Sequence, residues 1–288
     1  DLEGSVKANL SGLRLAGELL RADPESLRFQ QASVAIQVDL ADTYQALGRA
    51  DDALPLLRAA LIRNRDLVAS DPDGIDSRLL CAALAERLTQ LLGGRGEHRE
   101  AALLLGEQIR LAEEILARSP QHREAQQTLA GALEALAGLH LTKGELAKGE
   151  RRLEEVISLR RELVQVRADK EALLGLSSAL MSRGEARRKK GDLAGAREAI
   201  GEAIAIRTKL LKASATDIEA RQALARSYGK LVDLERAAEL FEAAAAALKL
   251  GLEVAAPLRQ QAPTHAKSME VLATFAVYAG VAALEKGQ

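Results

Sequence analysis

Ala22-Asp23-Pro24, Ser70-Asp71-Pro72 and Arg118-Ser119-Pro120 recur at a constant step of 48 residues. Two further junctions, Ala168-Asp169 and Thr216-Asp217, keep the phase without proline, and Ala262-Pro263-Thr264 closes the series. Midway between these breakers stand Gly48, Gly96, Gly144 and Gly191. Two interleaved breaker series with one period describe a repeating unit of two elements. Leu193, Ala196, Ile200, Ala203, Ile204, Leu210 and Leu211 follow at three- and four-residue steps, which places them on one stripe of a helix. Asp192 stands where an N-cap satisfies first-turn amides, and Gly191 before it suits the left-handed residue that ends the preceding helix. No segment alternates with period two, so no sheet is expected.

The spacing predicts a single all-α solenoid over 1–288 with a long (~48-residue) repeat. A leading half-repeat covers 1–22. Helix pairs follow at about 25–48 and 51–70, 74–93 and 97–118, 122–143 and 145–168, 169–190 and 192–215, and 217–231 and 234–261. A closing half-repeat covers 264–288, with its helix at about 264–286. Each helix of ~20 residues should be ~30 Å long. Pro257 lies inside a helical pattern and should kink or end it.

Composition narrows the function classes. The apolar share is mostly Ala and Leu, both good helix formers, and aromatics make up only 2% of the 288 residues. A net charge of −1 gives no general attraction to nucleic acid or anionic lipid. The one cysteine, Cys81, allows no intrachain disulfide. No apolar run is long enough to span a membrane. The start at Asp1, in mid-motif and without an initiator Met or signal peptide, gives the expectation of a segment from a longer protein.

Small residues recur where paired helices must approach closely. Ala53, Ala101, Ala196 and Ala237 are read at one phase, and Ala60, Ala203 and Ala244 seven residues later; Tyr44 and Tyr228 are read as matching positions. Gly184…Gly191-Asp192…Ala196…Ala203, with Phe241 supplying an aromatic in the second helix, resembles the tetratricopeptide (TPR) repeat. Thr89 and Gly149 depart from that pattern, and the step of 48 exceeds the usual ~34 by two turns per helix. A narrower resemblance lies in Gly191-Asp192-Leu193-Ala194-Gly195-Ala196-Arg197-Glu198-Ala199, Ala205-Ile206-Arg207-Thr208-Lys209-Leu210-Leu211 and Ala225-Arg226-Ser227-Tyr228-Gly229-Lys230-Leu231. These look like the long-period TPR arrays C-terminal to the kinase domain of bacterial eukaryotic-type Ser/Thr kinases. The resemblance implies a non-catalytic protein–protein interaction or assembly scaffold, the regulatory region of a larger signalling protein. The location it implies is cytoplasmic, or extracytoplasmic if the parent is a membrane-spanning kinase. The chain itself has no Gly-rich kinase loop, His-Arg-Asp or Asp-Phe-Gly. A purely structural oligomerisation module, or the sensor array of a nucleic-acid-associated regulator, are the rival classes.

No catalytic, cofactor or metal constellation is legible. His98, His122, His140 and His265 lack metal-ligand spacing, and Cys81 sits in an apolar helix segment as a buried thiol would. Gly93-Gly94-Arg95-Gly96-Glu97 lacks the Lys-Ser/Thr of a phosphate loop and reads as a turn. Glu113-Glu114 and Glu154-Glu155 read as solvated faces. Arg183, Arg187, Arg188, Lys189 and Lys190, with Arg151, Arg152, Arg160, Arg161 and Arg167 on the preceding helix, form the strongest charge feature. It reads as helix-terminal cations or as a site for an anionic partner. No aromatic lies between Tyr44 and Tyr228, so base-stacking platforms are missing and nucleic acid is not expected.

In TPR arrays the first helix of each pair lines the inner face, and the resemblance implies that inward positions take a protein or peptide partner. By phase these are Val38, Asp42 and Gln45; Glu86 and Gln90; Glu134, Gly138 and Leu141; Met181, Glu185, Arg188 and Lys189; and Gln222, Arg226 and Lys230. The set runs from acidic to basic. The chain opens on a second-type helix, since Asp1-Leu2-Glu3-Gly4-Ser5 aligns with Asp192-Leu193-Ala194-Gly195-Ala196, and it closes on a first-type helix. Leu10, Leu13 and Leu20 at one end, and Leu272, Phe275 and Val281 at the other, are expected to be exposed and to support homo-oligomers.

Overall fold

The computed structural model describes residues 2–71 and 73–285, with the side chains of residues 284 and 285 left aside. Asp1, the breaker Pro72 and the tail of the closing half-repeat at 286–288 lie outside the described residues. Among the described residues the chain is helical without strands. The helices are α1 (Leu2–Ala22), α2 (Leu27–Ala46), α3 (Ala50–Ser70), α4 (Ile75–Gly94), α5 (His98–Arg118), α6 (Arg123–Thr142), α7 (Leu146–Val166), α8 (Lys170–Lys190), α9 (Leu193–Ala213), α10 (Ile218–Ala237), α11 (Phe241–Ala255), the short α12 (Leu258–Gln261) and α13 (Ala266–Glu285). They fall into two compact units, residues 1–139 and 140–288.

The fold is built on one turn. Gly48, Gly96, Gly144 and Gly191 hold φ between +73° and +86°, the left-handed region that glycine enters without a Cβ penalty. The next residue's amide reaches back to a carbonyl in the helix just finished: Arg49 N donates to Tyr44 O at 2.8 Å, Glu97 N to Leu92 O at 3.0 Å and Asp192 N to Arg187 O at 2.9 Å. This is a Schellman closure, which satisfies end carbonyls and turns the chain within two residues. At the opposite end of the pair, the tight turns ahead of α6, α8 and α10 are capped by side chains, whereas those ahead of α2 and α4 have no side-chain cap. Asp169 Oδ1 accepts from Ala172 N at 3.0 Å, Asp217 Oδ1 from Ala220 N at 3.0 Å and His122 Nδ1 from Ala125 N at 3.3 Å.

The fifth pair corrects the predicted boundary. The first helix, α10, does not end near 231 but runs to Ala237, and the turn falls at Ala238-Glu239-Leu240. Glu239 takes the glycine's place with φ +58°, and Leu240 N donates to Glu235 O at 2.8 Å as in the other turns. Glu239 stands 48 residues after Gly191, so the period holds while the glycine is missing. Three readings move with it. Ala244, not Ala237, matches Ala53, Ala101 and Ala196, and Gly251 matches Ala60 and Ala203. Phe241 is the first residue of α11 and 57% exposed, so it is no core aromatic. Tyr228 lies seven residues out of phase with Tyr44. Pro257 behaves as predicted: α11 ends two residues before it.

Close approach explains the small residues. A Cβ on Gly184 would stand 2.7 Å from Ile200 Cγ1 and 3.3 Å from Ala196 O, so α8 meets α9 backbone to side chain. A Cβ on Gly251 would collide with the Phe275 ring and lie 3.1 Å from Tyr228 Cβ. Phe275 is therefore buried, contrary to its expected exposure. Leu13 and Leu20 are half-buried, whereas Leu10, Leu2, Leu15 and Leu19 on α1 are exposed. In residues 1–139 the core gathers Val34, Leu57, Leu84, Leu88, Leu92 and Leu111. In residues 140–288 it gathers Ala196, Ile200 and Leu234 in one cluster and Val232, Leu248, Leu258, Val271 and Phe275 in another.

Two junctions between consecutive second-type helices, α3 with α5 and α7 with α9, share one ion-pair register. Arg65 grips Glu107 through Nε at 2.8 Å and Nη2 at 2.5 Å, and Arg161 grips Glu202 at 2.9 and 3.2 Å. Measured from the turn residues, both pairs join the same two repeat positions.

Two stability outcomes follow. Glu239→Gly should stabilise the chain by about 1 kcal/mol, because it relieves a left-handed residue that carries a Cβ; urea unfolding measures it, and a loss of stability would contradict the turn. Gly251→Ala should cost about 1–3 kcal/mol through overpacking against Phe275. Phe275→Leu in the same chain should recover part of that loss in a double-mutant cycle.

Candidate functional site

The inward positions divide between the two units. In residues 1–139, Asp42 on α2 is exposed and pairs with Arg87 of α4, bridging neighbouring first-type helices. Gln90 Nε2 donates to Glu86 Oε1 at 3.3 Å, Gln45 is exposed and Glu134 is half-buried on α6.

In residues 140–288 the first-type helices are α8, α10 and α13. Arg188 does not project free: its Nε and Nη2 donate to Glu185 at 3.0 and 2.8 Å. Those bonds hold the Glu185 carboxyl below the usual carboxylate range, against partial burial, and hold Arg188 above its ordinary value. Met181 is half-buried and packs on the cluster around Ile200. Lys189 is exposed and makes no ion pair among the described residues.

Gln222 is a correction. It is buried, and its Nε2 donates to Ser268 Oγ at 2.8 Å and meets His265 Nδ1 at 3.2 Å. The physical reason is the displaced turn, since counting back from Glu239 puts Gly229, Asp233 and Arg236 at the inward phase of α10. Asp233 accepts from Tyr278 Oη at 2.8 Å, and burial together with that bond pushes the tyrosine hydroxyl well above its ordinary pKa. Arg226 and Lys230 remain exposed and make no ion pair among the described residues. They line a cleft of about 210 Å³ between α10 and α13, together with Thr274, Tyr278 and, on the facing helix, Glu270.

The other sequence candidates have structural partners. The basic run at the end of α8 is largely neutralised. Lys190 pairs with Glu150 at 2.6 Å, and Arg187 lies 3.6–3.9 Å from Glu150, Glu198 and Asp192. Arg207 is buried and donates to Ser177 Oγ, Ser227 Oγ and Ala223 O at 2.7–2.9 Å. His140 Nδ1 lies 2.5 Å from Glu145 Oε2. Cys81 is buried, and burial beside Glu107 pushes its thiol up to about 11. Arg95 of the glycine-rich turn bonds Glu97 at 2.6 Å and also pairs with Asp51. Glu114 bridges Arg78 and Arg110, and Glu155 pairs with Arg152. Among the described residues no group of His, Cys, Asp or Glu could hold a metal, and no helix is long and apolar enough to cross a membrane.

Sequence reading missed the role of Arg183. Eight residues before each turn residue stand Leu40, Leu88, Leu136 and Leu231, and at that position α8 carries Arg183. Its Nε is buried without a hydrogen-bond partner, and its Nη2 lies 3.7 Å from Glu202, which Arg161 already occupies. Burial, with Arg187 and Arg161 nearby, lowers its pKa. Aligning the repeats on their turns would have shown an arginine in a leucine column.

No protein-family model matches the chain, and no curated protein matches its sequence. Solved structures do. BtubC (BKLC) from P. vanneervenii superposes with a TM-score of 0.65 at 20% identity, over 90% of this chain and 92% of that one. A variant of a putative kinesin light chain of Podospora anserina, with nearly identical TPR-like repeats, gives 0.55 at 17% identity over 79% and 96%. The apo form of RapI gives 0.58 at 10% identity over 97% and 81%. At these identities the likeness establishes the fold: an all-α, TPR-like solenoid of helix pairs.

Arg183→Leu should raise stability by about 1–4 kcal/mol, as replacing poorly matched buried charge with a fitting apolar side chain often does. Thermal unfolding checks it; a destabilised variant would show that Arg183 is a net structural asset.

Proposed function

We propose that the chain is a non-catalytic scaffold for protein–protein recognition, and that it takes an acidic peptide segment on the first-type helices of residues 140–288. The observation that carries this reading is the cleft between α10 and α13. There Arg226 and Lys230 have no carboxylate partner among the described residues, whereas Arg188 close by is fully engaged by Glu185. Glu270 on the opposite wall makes the cleft dipolar, which suits a segment that carries a carboxylate beside a donor. Lys189 and Lys230 both act electrostatically on Glu185, so the positive field extends toward α8.

The resemblance to the repeat arrays of bacterial kinases supports a place in the regulatory region of a larger signalling protein such as a Ser/Thr kinase. A complete coding sequence with a Gly-rich loop, His-Arg-Asp and Asp-Phe-Gly would bear that out, and one without them returns the chain to a stand-alone scaffold. Self-association is a second reading, favoured by the exposed Leu2, Leu10, Leu15 and Leu19 on α1. A strictly monomeric species in light scattering at micromolar concentration removes it.

Joint reversal, Arg226→Glu with Lys230→Glu, should weaken capture of acidic peptides by about tenfold or more while circular dichroism stays unchanged. Binding to the wild-type chain should also fall as salt rises, since exposed charges are screened beyond ~8 Å at physiological ionic strength. Peptide capture indifferent to both reversal and salt would move the site elsewhere.

A further inference from the structure

A second recess lies where α11 meets α13 over the end of α10, and it shares Tyr278 with the cation-lined cleft. It encloses about 430 Å³. Its walls are Val232, Phe241, Ala245, Leu248, Tyr278 and Ala282. The repeat explains why it is hollow. At three junctions, six residues after one turn and four before the next, successive helices hold a facing pair. Leu54 and Leu92 share a core in residues 1–139, and in residues 140–288 Glu150 faces Arg187 at 3.6 Å and Arg197 grips Glu235 at 2.7 and 2.6 Å. One position earlier, Leu234 fills the space against Ala196 and Ile200. Continuing the phase from Glu239, α11 and α13 offer Ala245 and Ala283 for the facing pair and Ala282 for Leu234. At this junction all three positions are alanine, and two of them, Ala245 and Ala282, line the recess.

We propose that this recess is a second peptide-binding site, which takes one large apolar side chain, of leucine size or greater, from a protein partner. The lining is mostly apolar, and the volume lies in the range of sites that bury most of a small ligand. The rim carries one residue of each sign, Arg236 and Glu242. That balance fits a neutral, dipolar peptide backbone and offers no net attraction to an anionic lipid headgroup. Phe241, 57% exposed beside the opening, adds an aromatic edge for the same side chain. The site borders the cation-lined cleft at Tyr278 but uses neither Arg226 nor Lys230, so it would survive the loss of that reading.

The test uses the full chain, labelled at leucine and valine methyls, with three capped residues as probes: N-acetyl-leucinamide, N-acetyl-tryptophanamide and N-acetyl-alaninamide. The leucine and tryptophan probes should shift the methyl resonances of Leu248 and Val232, and the alanine probe should not. Ala282→Leu rebuilds the side chain that Leu234 supplies one repeat earlier, so it should raise the melting temperature and abolish the shifts. Ala245→Leu fills the recess from the other wall and serves if the first variant does not fold. Arg226→Glu with Lys230→Glu should leave the shifts intact. No shift in the wild-type chain, or shifts that persist in a folded, filled variant, would overturn the proposal. So would shifts produced by raising the concentration of the chain alone, which would make a second copy the occupant.

Discussion

Everything in this structure depends on a backbone angle. At five places among the described residues the chain must adopt φ > 0 for one residue, so that a helix can close on its own carbonyls and reverse within two positions. Because that turn is so short, the following helix is fixed in rotation as well as direction. The small residues five and twelve positions later then face the partner helix, as Ala53, Ala60, Ala196 and Ala203 do, each fully buried. Glycine meets the requirement at four turns. At the fifth Glu239 accepts the strained angle, held there by α10 and α11 on either side.

That substitution also marks the limit of what the sequence discloses. Breaker spacing and helical periodicity are enough to read the class of fold, the repeat length and most helix ends, because proline, glycine and the N-cap aspartates act locally. The fifth pair misleads because Glu239 emits no turn signal, and a phase set seven residues early looks equally good. Seven residues are close to two helical turns, so the apolar stripe is nearly superimposable on itself after such a slip. Only partners distant in sequence break the tie: Gly251 against Phe275, and Gln222 against Ser268. The candidate site inherits the error. Arg226 and Lys230 still face solvent, while Gln222, one turn earlier, points into the core. Arg188 is misjudged for a different reason, since its engagement by Glu185 depends on rotamers that spacing does not specify.

Polar residues stand at several core positions of residues 140–288, and their satisfaction differs. Arg207 is buried but finds three oxygen acceptors, so its burial is compensated. Arg183 occupies a leucine position and competes with Arg161 for one carboxylate. Buried charge that is fully paired tends to specify an arrangement, whereas poorly matched charge mainly costs stability.

The alternation of the facing pairs has a consequence for how such an array can be duplicated or shortened. Glu150 on α7 answers Arg187 on α8, while Arg197 on α9 answers Glu235 on α10: the signs are exchanged from one junction to the next. Removing α8 with α9 would bring Glu150 against Glu235, two carboxylates at a site where Glu235 is almost wholly enclosed. Removing α7 with α8, from one left-handed turn to the next, deletes a matched pair whole and leaves Arg197 with Glu235. Both excisions take out one period of DNA, yet only the second preserves complementarity. The unit of recombination in this part of the chain is therefore the second helix of one pair with the first helix of the next, offset by half a period from the unit of folding.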